Sequence, residues 1–216
     1  MRWLTIDEIA ALVPLPEGYR YERLQRGGVP ALIDAIVRWY PDISVGAGSC
    51  YLRDEFYRDK VFFEGEAETD VSVVLFLHGD ELAGMWSFER EPDALSLYGK
   101  LLIVAPQHRG AKLANAAMAG TERVGRAMGA EFMYAMATLK MPNMQRALER
   151  AGYRLLGFVP GYDREVIEGG AVKRVFEAVY AKVLVSEDEL LRPDPANLTP
   201  GTRALFELLF PQTDRA

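Results

Sequence analysis

The amino-acid sequence predicts an α/β domain followed by a helical extension, and three observations carry that reading. Val71 to Leu77 is a near-continuous apolar run, the pattern of a strand covered on both faces. Hairpin-type turns stand at Gly79-Asp80 and Gly169-Gly170. Between them, the stretch from Tyr98 to Met128 reads as strand, cationic turn and amphipathic helix. A chain of 216 residues that is 50% hydrophobic can bury one sizeable core, so one domain with extensions is the natural count.

Taken in order, Thr5 and Glu8 form a capping box ahead of Ile6, Ile9, Ala10 and Val13, and Pro14 and Pro16 end that short helix. Tyr19 to Leu24 reads as a first strand, broken by Gly27-Gly28. Pro30 in a first turn opens a helix whose apolar face is Leu32, Ile33, Ile36, Val37 and Tyr40. Pro41 to Ser49 is a glycine-containing loop, and Tyr51 to Phe62 reads as a helix dense in aromatic residues, for which core packing is the leading explanation. After the central strand, Leu82, Gly84, Trp86 and Phe88 alternate towards one face. Pro92-Asp93 turns the chain into a strand from Leu95 to Val104.

Pro106 ends that strand, and Leu113, Ala116, Ala117, Gly120, Val124 and Ala127 mark one face of a helix stopped by Gly129. Phe132 to Ala137 is a strand; Met144, Ala147, Leu148 and Ala151 give a short helix ended by Gly152; Tyr153 to Val159 is a strand again. Residues 164 to 184 fit both helical and strand spacing, and their β-branched and aromatic content favours a strand. A linker, Arg192 to Asn197, leads to a last helix. Its Leu205, Phe206, Leu208, Leu209 and Phe210 need cover, from this domain or from a second subunit in a homodimer. Residues 1–185 are therefore read as the domain and 186–216 as the extension.

The turn at Arg109-Gly110-Ala111-Lys112 has the makings of an anion site. The first N–H groups of a helix lack partners and its dipole favours negative charge there. Gly110 permits close approach to the backbone, and Arg109 and Lys112 add positive charge. An ordinary strand-to-helix connection is the alternative. The net charge of -6 argues against a general nucleic-acid or membrane-surface binder, and two histidines and one cysteine make a zinc site improbable. Cys50, the single cysteine, fits a reducing compartment. With no stretch approaching a membrane span and no signal-peptide pattern at the N-terminus, a cytoplasmic protein is expected.

The run Val104-Ala-Pro-Gln-His-Arg-Gly-Ala-Lys-Leu-Ala114 resembles the coenzyme A loop of the GNAT N-acetyltransferase superfamily, whose pattern is Arg/Gln-x-x-Gly-x-Gly/Ala after a strand-ending Val. Two registers fit, one starting at Gln107 and one at Arg109, and each puts Lys112 where the family has a glycine or its Gly/Ala. Asn143 to Tyr153 resembles the family's second coenzyme-contacting helix. The resemblance implies a mixed, mostly antiparallel central sheet flanked by helices, with acetyl-CoA as co-substrate and no metal. It implies an amine, small-molecule or peptide, as acceptor. It points to Leu102 and Val104 for the pantetheine arm and thioester, to Arg109, Gly110, Ala111, Lys112, Leu113 and Ala114 for the phosphates, and to Asn143 as a further contact. The catalytic pair departs from the pattern: Tyr98 stands where many members carry a Glu, and Leu148 where many carry a Tyr. Tyr98, Glu89 and Glu91 are the candidate substitutes for acid and base, Tyr98 and Glu89 foremost, with bound water as another route. N-acetyl transfer by direct attack is the leading expectation, and a non-catalytic acyl-CoA-binding or regulatory module is the alternative.

Overall fold

A computed structural model describes residues 1–211 of the chain. Seven strands form one sheet in the order β1-β2-β3-β4-β5-β7-β6. They are β1 (Tyr19–Arg23), β2 (Val71–His78), β3 (Glu81–Glu91), β4 (Ser96–Val104), β5 (Phe132–Thr138), β6 (Arg154–Val166) and β7 (Val172–Val183). Every pairing is antiparallel except β4 with β5, which is parallel because a helix crosses over between them. The expected mixed, mostly antiparallel sheet is the one found.

Helices cover both faces. On one lie α1 (Ile6–Leu12), α4 (Leu113–Met128) and α5 (Asn143–Arg150). Their side chains pack with Trp86, Phe88, Leu97 and Met133 into the larger core. On the other lie α2 (Val29–Trp39) and α3 (Asp54–Lys60), which pack on Val73, Leu75, Met85 and Ile103. The capping box of α1 is present in full: Thr5 Oγ1 accepts from Glu8 N at 3.2 Å and Glu8 accepts from Thr5 N at 2.8 Å. Gly129 closes α4 at φ 84°, a left-handed cap.

Several local expectations change. The α2 face takes Ala35 in place of Val37, which is 47% exposed. The aromatic stretch from Tyr51 to Phe62 is not one helix: a 3-10 segment, Ala47–Leu52, precedes α3. Tyr51 and Tyr57 are core residues whose hydroxyls are satisfied, by Ser87 Oγ at 2.5 Å and the Tyr51 carbonyl at 2.8 Å. In β3, a register shift opposite Phe76 and Leu77 moves Leu82 to the α2 side while Trp86 and Phe88 stay on the α4 side. A bulge does this because side-chain alternation has period two, so one extra residue flips the face. Residues 172–183 are a strand, with Gly169 and Gly170 both at positive φ in the turn before it.

The chain divides into two compact units, the first being Met1–Leu184 and the second starting at Val185. In the second unit, α6 (Pro200–Leu209) is capped by Thr199 and has no buried residue, with Leu208 76% exposed. No helix among the described residues is long and apolar enough to cross a membrane.

Candidate active site

The site begins where two neighbouring strands part. β4 and β5 pair at only four positions, from Ser96↔Phe132 to Gly99↔Ala135. Beyond them β4 stays with β3 as far as Val104, and β5 stays with β7 as far as Thr138↔Glu177. A wedge opens between the two. Ala105 N donates to Ala83 O at 2.9 Å, and the β3–β4 register pairs Ile103 with Met85 and Leu101 with Ser87. Antiparallel hydrogen bonding alternates along a strand, so these positions bond to β3, and the main-chain groups of Leu102 and Val104 face the wedge.

Two cavities meet there. The smaller, about 200 Å³, lies on the α4–α5 side and is lined by Trp86, Met118, Ala135, Met144, Leu148 and Tyr153. The larger, about 450 Å³, lies on the opposite face, with Tyr40, Tyr51, Tyr98, Tyr162 and Glu177 in its wall. Lys100, Leu101, Leu102, Met136 and Thr138 border both. The outcome is a passage through the sheet, apolar on one side and rich in phenols and carboxylates on the other.

At the N-terminus of α4, Gly110 has φ 102° and Lys112 has φ 64°. These are the two glycine-type positions of the register beginning at Gln107, so the backbone favours that register over the one beginning at Arg109. A Cβ at Gly110 would meet nothing within 4 Å, leaving its backbone approachable. Lys112 occupies the N-cap in a left-handed conformation with no side-chain cap, which leaves the first α4 amides without side-chain partners. Arg109 lies over the Tyr40 ring, 5.3 Å from its centroid. Leu113 is buried in the core, so only its main chain can serve a ligand. Asn143 is exposed at the start of α5.

Of the acid–base candidates, Tyr98 lies in the wall of the larger cavity and Glu89 borders neither cavity. Glu89 accepts from Lys100 Nζ at 2.8 Å and so reaches the site only through that lysine. The Tyr98 ring stacks on Tyr134, centroids 4.8 Å apart, and burial, followed by the neighbouring Tyr162 hydroxyl, pushes its phenol above the ordinary tyrosine value. It therefore keeps its proton at neutral pH and can donate but not abstract. Leu148 is wholly buried, part of the apolar lining.

Sequence reasoning missed Glu177. It is 6% exposed in the middle of β7 and borders the larger cavity. Burial, then the charges of Asp163 and Glu165, push its carboxyl up to about 7. The available signal was a lone acid inside the apolar run from Val175 to Val179, obscured because that run also fits helical spacing.

A family model, the Acetyltransferase (GNAT) family, matches residues 31–158. The chain belongs to the GNAT acetyltransferase family. GNAT structures share its fold. A ribosomal L7/L12 alpha-N-protein acetyltransferase in complex with coenzyme A aligns at 13% identity, over 80% of this chain and 97% of that one, with a TM-score of 0.61. A spermidine N-acetyltransferase from Vibrio cholerae gives 12%, 77%, 94% and 0.59 for the same four measures. An IAA acetyltransferase from Bacillus cereus gives 11%, 77%, 99% and 0.54. At such identities the likeness is one of fold. No curated protein sequence matches the chain. No cluster of three or more His, Cys, Asp or Glu suited to a metal ion occurs among the described residues of this GNAT domain.

Proposed function

We propose that this GNAT acetyltransferase moves an acetyl group from acetyl-CoA to the amine of a small molecule or peptide by direct attack on the thioester. The observation that carries this reading is the passage at the parting of β4 and β5, with Leu102 in the wall of both cavities and the Val104 main chain turned to the wedge. The smaller, apolar cavity suits a pantetheine arm, and the larger suits an acceptor arriving from the other face of the sheet. N–H groups aimed into the wedge would stabilise the oxyanion that forms when nitrogen attacks. The backbone at Gly110, Ala111, Lys112, Leu113 and Ala114 would hold the pyrophosphate, with Arg109 and Lys112 supplying charge and Asn143 a further contact. Tyr98, protonated and at the wedge, would hydrogen-bond the departing thiolate and relay to it the proton that the nitrogen releases.

Calorimetry should detect coenzyme A binding to the wild type, and Arg109→Glu should weaken it at least tenfold, or ~1.4 kcal/mol. Wild type that does not bind coenzyme A would overturn the proposal. Tyr98→Phe keeps the ring and its stacking, so turnover should fall at least tenfold with coenzyme affinity nearly unchanged, one general acid being worth about 10²–10⁴-fold. Equal acetyl-CoA consumption by the two proteins, with any accepted amine, would leave Tyr98 as a packing residue.

A further inference from the structure

We infer that Glu177 is the general base that takes the proton from the acceptor's ammonium group, an assignment that rests on the amine-transfer reading above. Glu177 pairs with Thr138 at the last position of β5, on the rim of the wedge. It borders the larger cavity, is 6% exposed as a residue, and makes no hydrogen bond or ion pair among the described residues. Its carboxylate oxygens are not sealed and can be reached from the cavity. Of the other carboxylates on this cavity, Asp42 is exposed, whereas Asp163 and Glu165 are engaged. Asp163 Oδ1 accepts from Ala47 N at 2.6 Å and Arg164 N at 2.7 Å, which pins the Gly46 turn against β6. Glu165 holds Lys140 Nζ at 2.6 Å, and Glu89 holds Lys100.

A carboxylate that opens on a cavity and has no protein donor is free to take its hydrogen bonds from a ligand that supplies them. An ammonium group does so. The titratable and charged groups that share this cavity with Glu177 come from several elements: Tyr98 and Lys100 from β4, Lys140 after β5, Tyr162, Asp163, Arg164 and Glu165 from β6, and Asp42 after α2. Lys100 and Lys140 are paired with their own acids, and burial, followed by the charges of Asp163 and Glu165, raises Glu177 into the range where a base works near neutral pH.

The protons balance. Ionised Glu177 takes one proton from the ammonium, and the freed nitrogen lone pair bonds to the thioester carbon. As the tetrahedral adduct collapses, the carbon–sulfur bond breaks and the second nitrogen proton passes to the departing thiolate, through the Tyr98 hydroxyl (which gives one proton and regains one) or through water. Glu177 then returns its proton to solvent.

Glu177→Gln, which keeps the shape, should lower kcat/KM at neutral pH at least 100-fold while coenzyme A affinity stays within twofold. Wild-type kcat/KM should rise with pH to a plateau with an inflection near 7, and the variant should lack that inflection. A readout without turnover runs in parallel. The folded carboxyl is raised above its unfolded value near 4.5, so its stabilising contribution is complete below that value and lost as pH rises through about 7. Wild-type melting temperature should therefore fall relative to the Gln variant over that window. An active wild type with the variant's rate within threefold, an inflection that survives substitution, or a flat stability difference would each overturn the assignment. A wild type that binds coenzyme A and acetylates no amine would overturn the transfer reading and this assignment with it.

Discussion

Gly120→Leu should destabilise the domain by about 3 kcal/mol or more and lower its melting temperature accordingly. Gly120 lies in the middle of α4, where glycine costs about 1 kcal/mol relative to alanine, so its presence there must be repaid by contact. A Cβ built at that position would stand 2.2 Å from Val13 Cγ2 and 2.6 Å from Val13 Cγ1. Val13 is buried and caps α1, so any side chain at 120 drives α1 off α4 and opens the core around Ile9 and Val124. Thermal melts of the single variants and of Gly120→Leu with Val13→Ala test this. Because the clash is with the valine methyls, the double variant should recover part of the loss, a coupling of opposite sign to simple addition. A Gly120→Leu protein that melts like the wild type would show that the two helices have slack between them.

Ala135→Phe should lower coenzyme A affinity at least 100-fold, about 2.7 kcal/mol, with a smaller effect on the fold. Ala135 faces Gly99 at the last parallel pair, and its side chain borders the cavity of about 200 Å³ between α4 and α5. A phenyl ring there can enter the empty space, so overpacking strain stays modest while the passage beside Leu102 is filled. Calorimetry with coenzyme A gives the affinity, and circular dichroism reports whether the variant is folded. Undiminished binding by a folded variant would mean that the coenzyme takes another route past the sheet.

Much of the fold could be read from residues because local chemistry and tertiary packing agree there. Thr5 and Glu8 start α1, Gly129 and Gly152 stop α4 and α5, and Val71 to Leu77 lies where an apolar run must lie. Reading failed where side-chain character and backbone period separate. Between Pro41 and Lys60 the chain makes 3-10 turns and one short helix, so no period survives, and aromatic residues would have suited a helix or a core equally. Leu82 changed face because a bulge is invisible to alternation. The cationic turn from Arg109 to Lys112 was legible, since its glycine and cations are contiguous. The acid–base chemistry was not, because Glu177 meets Tyr98 only after β7 inserts between β5 and β6, a non-sequential step that no local window contains.

The short seam between β4 and β5 has a consequence for the empty protein as a whole. Four residue pairs join strands β1 to β4 with β5 to β7, and past Gly99 and Ala135 the two halves have no mutual hydrogen bonding across the wedge. A ligand bonded to the Leu102 and Val104 backbone would act as a suture, bridging sheet halves that are joined by four residue pairs alone. Amides along that seam should then exchange with deuterium freely in the empty protein and slowly in the filled one, and saturation at 100 times Kd would add about 2.7 kcal/mol to global stability. The persistence of the folded chain in a cell would follow the supply of its own co-substrate.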